Sequence, residues 1–220
     1  MQANTLISSS IKSIHPVEDG HRALQMMEQF RINHLAIVKN KYFLGVISDK
    51  EIMNWDSEDE SIEEHLTNIA SPHVKYNQHL FDIIEVLEKN NLSVVPVLDE
   101  QKLYLGVITS RKLMYSIAKS ATIQSAGGVI ILEMNNNDYS LTEIASIVES
   151  NNTKILSSYV ISKPNSTNIE VTIKLSKKDI TAIIKDFERR EYKISASYKE
   201  EDTDGDFSER YESLMRFLNP

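Results

Sequence analysis

The sequence predicts a mixed α/β chain in which a duplicated unit of strand, amphipathic helix, strand, tight turn, strand and helix precedes a smaller domain of order βαββαβ. Three observations carry this. The stretch Leu44-Gly45-Val46-Ile47-Ser48-Asp49-Lys50-Glu51-Ile52-Met53 recurs in pattern as Leu105-Gly106-Val107-Ile108-Thr109-Ser110-Arg111-Lys112-Leu113-Met114. The match extends upstream, where an offset of 60 lays Ala23-Leu24, Met27, Ile32 and Leu35-Ala36-Ile37-Val38 on Ile83-Ile84, Leu87, Leu92 and Val95-Pro96-Val97-Leu98. Beyond Gly127-Gly128 the periodicity changes to one that no longer repeats the unit.

In the first repeat, Lys12-Ser13-Ile14-His15 is expected as a short strand closed by Pro16. Asp19 then suits the cap of a helix whose apolar residues Ala23, Met26, Met27 and Phe30 follow helical spacing. Leu35 to Val38 and Phe43 to Ile47 read as strands joined by Lys39-Asn40-Lys41, and Ser48 as the N-cap of a following helix. The second repeat follows the same plan, with Leu80, Ile83, Ile84 and Leu87 as the buried helix face and Asp99-Glu100-Gln101 as the turn. A helix then runs from Arg111 to about Ala121, and the acidic run Asp56-Ser57-Glu58-Asp59-Glu60 between the repeats reads as a solvated connection.

In the smaller domain, Val129 to Met134 is a continuous apolar run, and Leu141, Ile144, Ala145 and Val148 form a helical stripe. Ile155 to Ile161 is strand-like, Pro164-Asn165-Ser166 turns the chain, and Ile169, Val171, Ile173 and Leu175 alternate with polar residues. Ser176-Lys177-Lys178-Asp179 would cap a helix bearing Ile180, Ile183, Ile184 and Phe187, and Ile194, Ala196 and Tyr198 supply the last strand. That order is a ferredoxin-like split unit. The expected limits are 1–60 and 61–125 for the repeats, 126–198 for the βαββαβ domain, and 199–220 for an acidic linker with a short amphipathic helix.

The tail opens Glu200-Glu201-Asp202-Thr203-Asp204-Gly205-Asp206, which has calcium-loop spacing at its start but Tyr211 where a bidentate Glu is needed, so it reads as a linker. Phe207, Tyr211, Leu214, Met215 and Leu218 share one helical face, which needs a seat on the module itself or on a dimer mate.

Composition narrows the function. The 220 residues are 41% hydrophobic and 25% charged, ordinary for globular domains. No apolar run approaches the roughly 18 residues of a membrane span, and the N-terminus lacks a basic flank, so a cytoplasmic protein without membrane contact is expected. Zero cysteine excludes disulfides and thiol catalysis. The net charge of -8 argues against nucleic acid. His15, His21, His34, His65, His73 and His79 make no helical ligand pair, and no Gly-x-Ser-x-Gly elbow, P-loop or Rossmann fingerprint occurs. No metal site is expected, and the chain does not read as an enzyme.

The repeated phrase resembles a pair of cystathionine-beta-synthase (CBS) domains, the tandem arrangement called a Bateman module. The domain after it is similar to an ACT domain, and the CBS-CBS-ACT order resembles acetoin-utilisation (AcuB-type) regulatory proteins. This resemblance implies a non-catalytic regulator that needs no cofactor, senses AMP, ATP or S-adenosylmethionine between the repeats, and forms a homodimer. Its protein target is unidentified. The residues it nominates are Ser13, Ile14, Ala36, Ser48 and Glu51 in the first repeat, and Pro96 and Thr109 in the second. Asp138 is nominated in the ACT-like loop Asn135 to Leu141, which lacks the Gly usual there.

The family motif places a hydroxyl on phosphate and, three residues on, an Asp on ribose. Glu51 keeps that carboxylate whereas Lys112 does not, so one ligand per chain is expected in the cleft of the first repeat, with Ile14 and Ala36 beside the base. Ser48 and Glu51 equally fit a capping box that needs no ligand. Two alternatives to the nucleotide sensor stay open: a ligand-free dimerisation or adaptor module, and an amino-acid sensor built on the ACT-like domain.

Overall fold

Asp19 starts the first helix as expected, its Oδ1 accepting the Arg22 N–H at 2.7 Å. The computed structural model describes residues 1–199 except Asn165. The expected acidic linker and amphipathic helix from residue 200 onward lie outside the described residues, as does the centre of the Pro164-Asn165-Ser166 turn. The described chain divides into two compact units, 1–118 and from 119 onward.

In the first unit, α1 (Gly20–Phe30) leads to the hairpin of β1 (His34–Lys39) and β2 (Tyr42–Ser48), then to the single turns α2 (Asp49–Ile52) and α3 (Ile62–His65). The second repeat supplies β3 (Val74–Lys75), α4 (Leu80–Lys89), β4 (Val94–Leu98), β5 (Tyr104–Thr109) and α5 (Ser110–Ala118). Both hairpins are antiparallel, and each slips register at the same place in the repeat, Ile37/Val38 in one and Val97/Leu98 in the other. Asn40 and Lys41 both take positive φ, the twist that a two-residue hairpin turn needs.

The expected strand Lys12-Ser13-Ile14-His15 is reduced to one parallel bridge, Ile14 to Ile37, where only Ile14 N–H to Ala36 O and Val38 N–H to Ile14 O are made. The two repeats close on one another. Val94 and Val107 of the second sit in the core of the first, among Ile14, Leu35, Ile37 and Ile47. Of the expected face on α4, Ile83 is buried while Ile84 is exposed, since the stripe there is too narrow to cover both.

The second unit opens with α6 (Ala121–Gln124). It continues as β6 (Val129–Asn135), α7 (Leu141–Ser150), β7 (Ile155–Ser162), β8 (Asn168–Leu175), α8 (Thr181–Arg189) and β9 (Lys193–Tyr198). The antiparallel sheet order β7-β8-β6-β9 is that of a ferredoxin-like βαββαβ domain. Ile144, Ile147 and Val148 of α7 and Ile183 and Phe187 of α8 pack on Ile130, Leu132, Val171 and Ile173, so both helices cover one face. Leu141, expected in that core, is exposed and Ile147 takes its place, because α7 turns its stripe one step further along. Gly127 and Gly128, a boundary signal in the sequence, are both buried against the chain that follows β8.

Among the described residues no helix is long and apolar enough to cross a membrane.

Candidate functional site

Each repeat builds one cleft, and both are made by the same device. A short N-terminal segment of one repeat lies along the last strand of the other. Val46 N–H of β2 donates to Ala70 O at 2.9 Å, and Ser8 N–H donates to Val107 O of β5 at 2.8 Å. The glycines of the repeated phrase permit this approach. A Cβ on Gly106, whose φ is +147°, would meet Ile7 Cγ2 at 2.6 Å, and one on Gly45 would collide with Ile69 Cγ2.

The cleft of the first repeat is small, about 230 Å³, and is lined by His34, Ser48 and Glu51 together with Ala70, Pro72 and Asn90. Ser48 and Glu51 spend their groups on each other. Glu51 Oε2 accepts from both Ser48 N–H and Ser48 Oγ–H at 2.7 Å, and Ser48 Oγ accepts Glu51 N–H at 3.1 Å. This is the closed capping box, and it occupies the carboxylate that a ribose would need. Ile14 and Ala36 are each 1% exposed and belong to the core. Neither they nor the half-buried Ser13 lines this cavity.

The cleft of the second repeat is larger, about 680 Å³, within the range of small-molecule sites. Thr109 Oγ1 caps α5 by accepting Lys112 N–H at 2.9 Å, which leaves its own proton free to donate. Around it stand Ser8, Ser9 and Ser10, Ser93, Ser110, and the cations Arg31, Arg111 and Lys112. Among the described residues no carboxylate lines this cleft. Among the described residues none of these three cations has an ion-pair partner. Arg31 reaches the site because it ends α1 in the left-handed region, φ +55°, where its N–H closes on Glu28 O. Pro96 is buried in β4 opposite Val107 and is not part of the lining.

Such a surface attracts anions. Charge-assisted donors are the strong ones for phosphate, and the positive end of the α5 dipole adds to them although Ser110 N–H is held by Ser93 O and Lys112 N–H by Thr109 Oγ1. A chain of net charge -8 has concentrated cations here.

The repeated hairpin, glycine and capped helix correspond to a defined family. The family model for the CBS domain matches residues 3–58 and 66–119, together half the chain. The chain belongs to the CBS-domain family. Among solved structures, the CBS pair is similar to a CBS domain pair/ACT domain protein from Thermotoga maritima, at 14% identity, covering 55% of this chain and 99% of that one, with a TM-score of 0.48. It is also similar to CBSX2 in complex with AMP, at 14% identity over 54% of this chain and 96% of that one, TM-score 0.47. A third likeness is to the cytosolic domain of the magnesium channel MgtE in complex with ATP, at 16% identity over 52% of this chain and 48% of that one, TM-score 0.44.

The two CBS clefts bracket one link. His34 Nδ1, bordering the first, accepts Ser93 N–H at 3.2 Å and lies 3.1 Å from Ser93 Oγ, which borders the second. Burial lowers the His34 pKa, while Asp49 and Glu51 act to raise it and Lys50 to lower it.

In the second unit Asp138 is exposed in a one-turn 3₁₀ helix. A cavity of about 280 Å³ lies beside it, but Asn135, Asn136, Asn137 and Thr167 line it and Asp138 does not.

Sequence reading missed Arg31, Arg111, Ser8 to Ser10, Ser93 and Tyr115 as lining residues. The signal available was the repeat itself: the offset sets the segment before Ile14 where the Ala70-Ser71-Pro72 segment stands in the other half.

Proposed function

We propose that the CBS pair is a regulatory sensor of a phosphate-bearing adenosine nucleotide, AMP or ATP, seated in the cleft of the second repeat. The observation that carries this is the 680 Å³ cleft lined by Arg31, Arg111, Lys112 and a cluster of hydroxyls, where among the described residues there is no carboxylate and no ion-pair partner for these cations. S-adenosylmethionine, which has a sulfonium and no phosphate, fits this charge poorly. The first repeat's cleft, favoured by the sequence motif alone, is smaller and has its carboxylate bound into a capping box.

The sensor works in the cytoplasm as a homodimer without catalysing a reaction, and its βαββαβ domain is an ACT-like pairing module. The edges β7 and β9 and the repeat-related residues Met53 and Met114, each 66% exposed, support pairing.

Thermal unfolding with AMP, ATP and S-adenosylmethionine tests the reading. A ligand at a hundred times its Kd adds about 2.7 kcal/mol to the folded state, and AMP or ATP is expected to do so. Arg111→Ala and Lys112→Ala should each weaken binding about tenfold or more, the loss of one charge-assisted contact, while Glu51→Ala leaves it unchanged. Stabilisation by S-adenosylmethionine alone, or affinity lost in Glu51→Ala but kept in Lys112→Ala, overturns it.

A further inference from the structure

The two repeats put opposite charges at one position. Three residues after the capping hydroxyl stands Glu51 in the first and Lys112 in the second. Lys112 and Arg111 begin α5, and Arg31 reaches the same cleft from the end of α1, in the other repeat. The C-terminal end of a helix is itself partly negative, so a cation is needed there before an anion can approach. Thr109 also lines the cleft and is only 8% exposed. Its Oγ1 accepts Lys112 N–H at 2.9 Å, and among the described residues its own proton has no acceptor. A buried donor of this kind is completed by an acceptor from outside the chain.

The lining is therefore rich in donors and poor in strong acceptors. A ribose diol gives its protons away, and its strong partner is a carboxylate; among the described residues only neutral oxygens could meet it in this cleft. Phosphate oxygens accept, which suits the cations and the Thr109 hydroxyl. One terminal phosphate carries about -1.5 to -2 at pH 7, which leaves part of the charge of three cations uncompensated. A chain of phosphates balances it.

Resting on the reading of this cleft as a nucleotide site, we propose that it selects by phosphate charge and not by ribose hydroxyls. Its ligand is a nucleoside polyphosphate, with Thr109, Arg111 and Lys112 on the phosphate next to the sugar and Arg31 on those beyond it. Arg31 is then the residue that sets the preference for a longer phosphate chain.

Calorimetric titration of the full-length protein without divalent metal compares AMP, ADP, ATP and 2′-deoxy-ATP. Each added phosphate met by a cation is a charge-assisted contact, so ATP should bind at least about tenfold tighter than AMP, with ADP between them. Deoxy-ATP should be less than about tenfold weaker than ATP, because the hydroxyl it lacks meets only a neutral partner. Arg31→Asn keeps a residue that tolerates the left-handed backbone at this position, φ +55°. It should weaken ATP about tenfold and leave AMP unchanged, while Arg31→Lys keeps most of the preference. AMP bound as tightly as ATP, or deoxy-ATP weaker than ATP by tenfold or more, overturns the selection rule and leaves the nucleotide site standing. Equal loss of AMP and ATP in Arg31→Asn overturns it as well. No binding of any of the four overturns both. The comparison of ligands on the parent protein needs no variant, so it decides the matter even where Arg31→Asn fails to fold.

Discussion

Acidification should loosen the CBS pair through His34, and the sign follows from its contacts. Nδ1 accepts the Ser93 N–H, so the neutral ring carries its proton on Nε2. A proton on Nδ1 would set donor against donor and break a bond that ties the first repeat to the second. Burial holds the folded-state pKa below the ordinary imidazole value of 6.5 despite Asp49 and Glu51. Between that lowered value and 6.5 the unfolded chain binds more protons than the native one. The stabilisation is therefore complete above 6.5 and is lost as pH falls through the folded-state value.

One neutral hydrogen bond is worth about 1 kcal/mol, and the ring is only half-buried, so the expected loss is no larger than this. For a unit of this size that is about 4 °C in melting temperature. His34→Gln does not titrate, and its comparison with the parent cancels the other five histidines. Calorimetric melts of both proteins from pH 8 to pH 5 should show the parent losing about 4 °C relative to the variant. Parallel curves, or a parent that gains on acidification, refute the link.

Two further outcomes are expected. Gly127→Ala should destabilise the second unit by about 3 kcal/mol or more, because φ is +148° and the new Cβ would overlap the Leu175 carbonyl, which is backbone and cannot yield; calorimetry should show that transition fall by at least 10 °C while AMP or ATP affinity is kept. Sedimentation at micromolar concentration should give twice the 25.1 kDa chain mass, and a single-chain mass refutes the homodimer.

The parts of the fold that were legible are those set by local chemistry. Asp19 as a cap, the alternation Ile169 to Leu175, and the Gly-Val-Ile phrase each declare their element within a few residues. Where one residue answers to two elements, local reading fails. Lys12-Ser13-Ile14-His15 looks like a strand, but only Ile14 meets the free edge of β1, through Ile14 N–H to Ala36 O and Val38 N–H to Ile14 O. Gly127-Gly128 looks like a hinge because glycine is permissive. Its actual use is close approach: Leu175 N–H donates to Gly128 O at 2.9 Å, and any side chain at 127 would hold the two segments apart.

The candidate cleft was legible in its phrase and not in its charge. Reading Ser48-x-x-Glu51 against Thr109-x-x-Lys112 compares two residues per site, and by that measure the carboxylate looks like the better ribose partner. The structure shows that a carboxylate three residues after a serine is drawn first to the serine's own N–H and hydroxyl, at 2.7 Å each, before any ligand arrives. Lys112 cannot close that box, so Thr109 keeps its hydroxyl proton and the cleft stays open beside it. The other two cations come from the end of α1 and from the position next to Thr109. Arg31 is therefore eighty residues away in sequence from the neighbour whose charge it reinforces, Arg111. A cationic cleft assembled from four separate segments is a property of the pairing between repeats, and no window along the chain contains it.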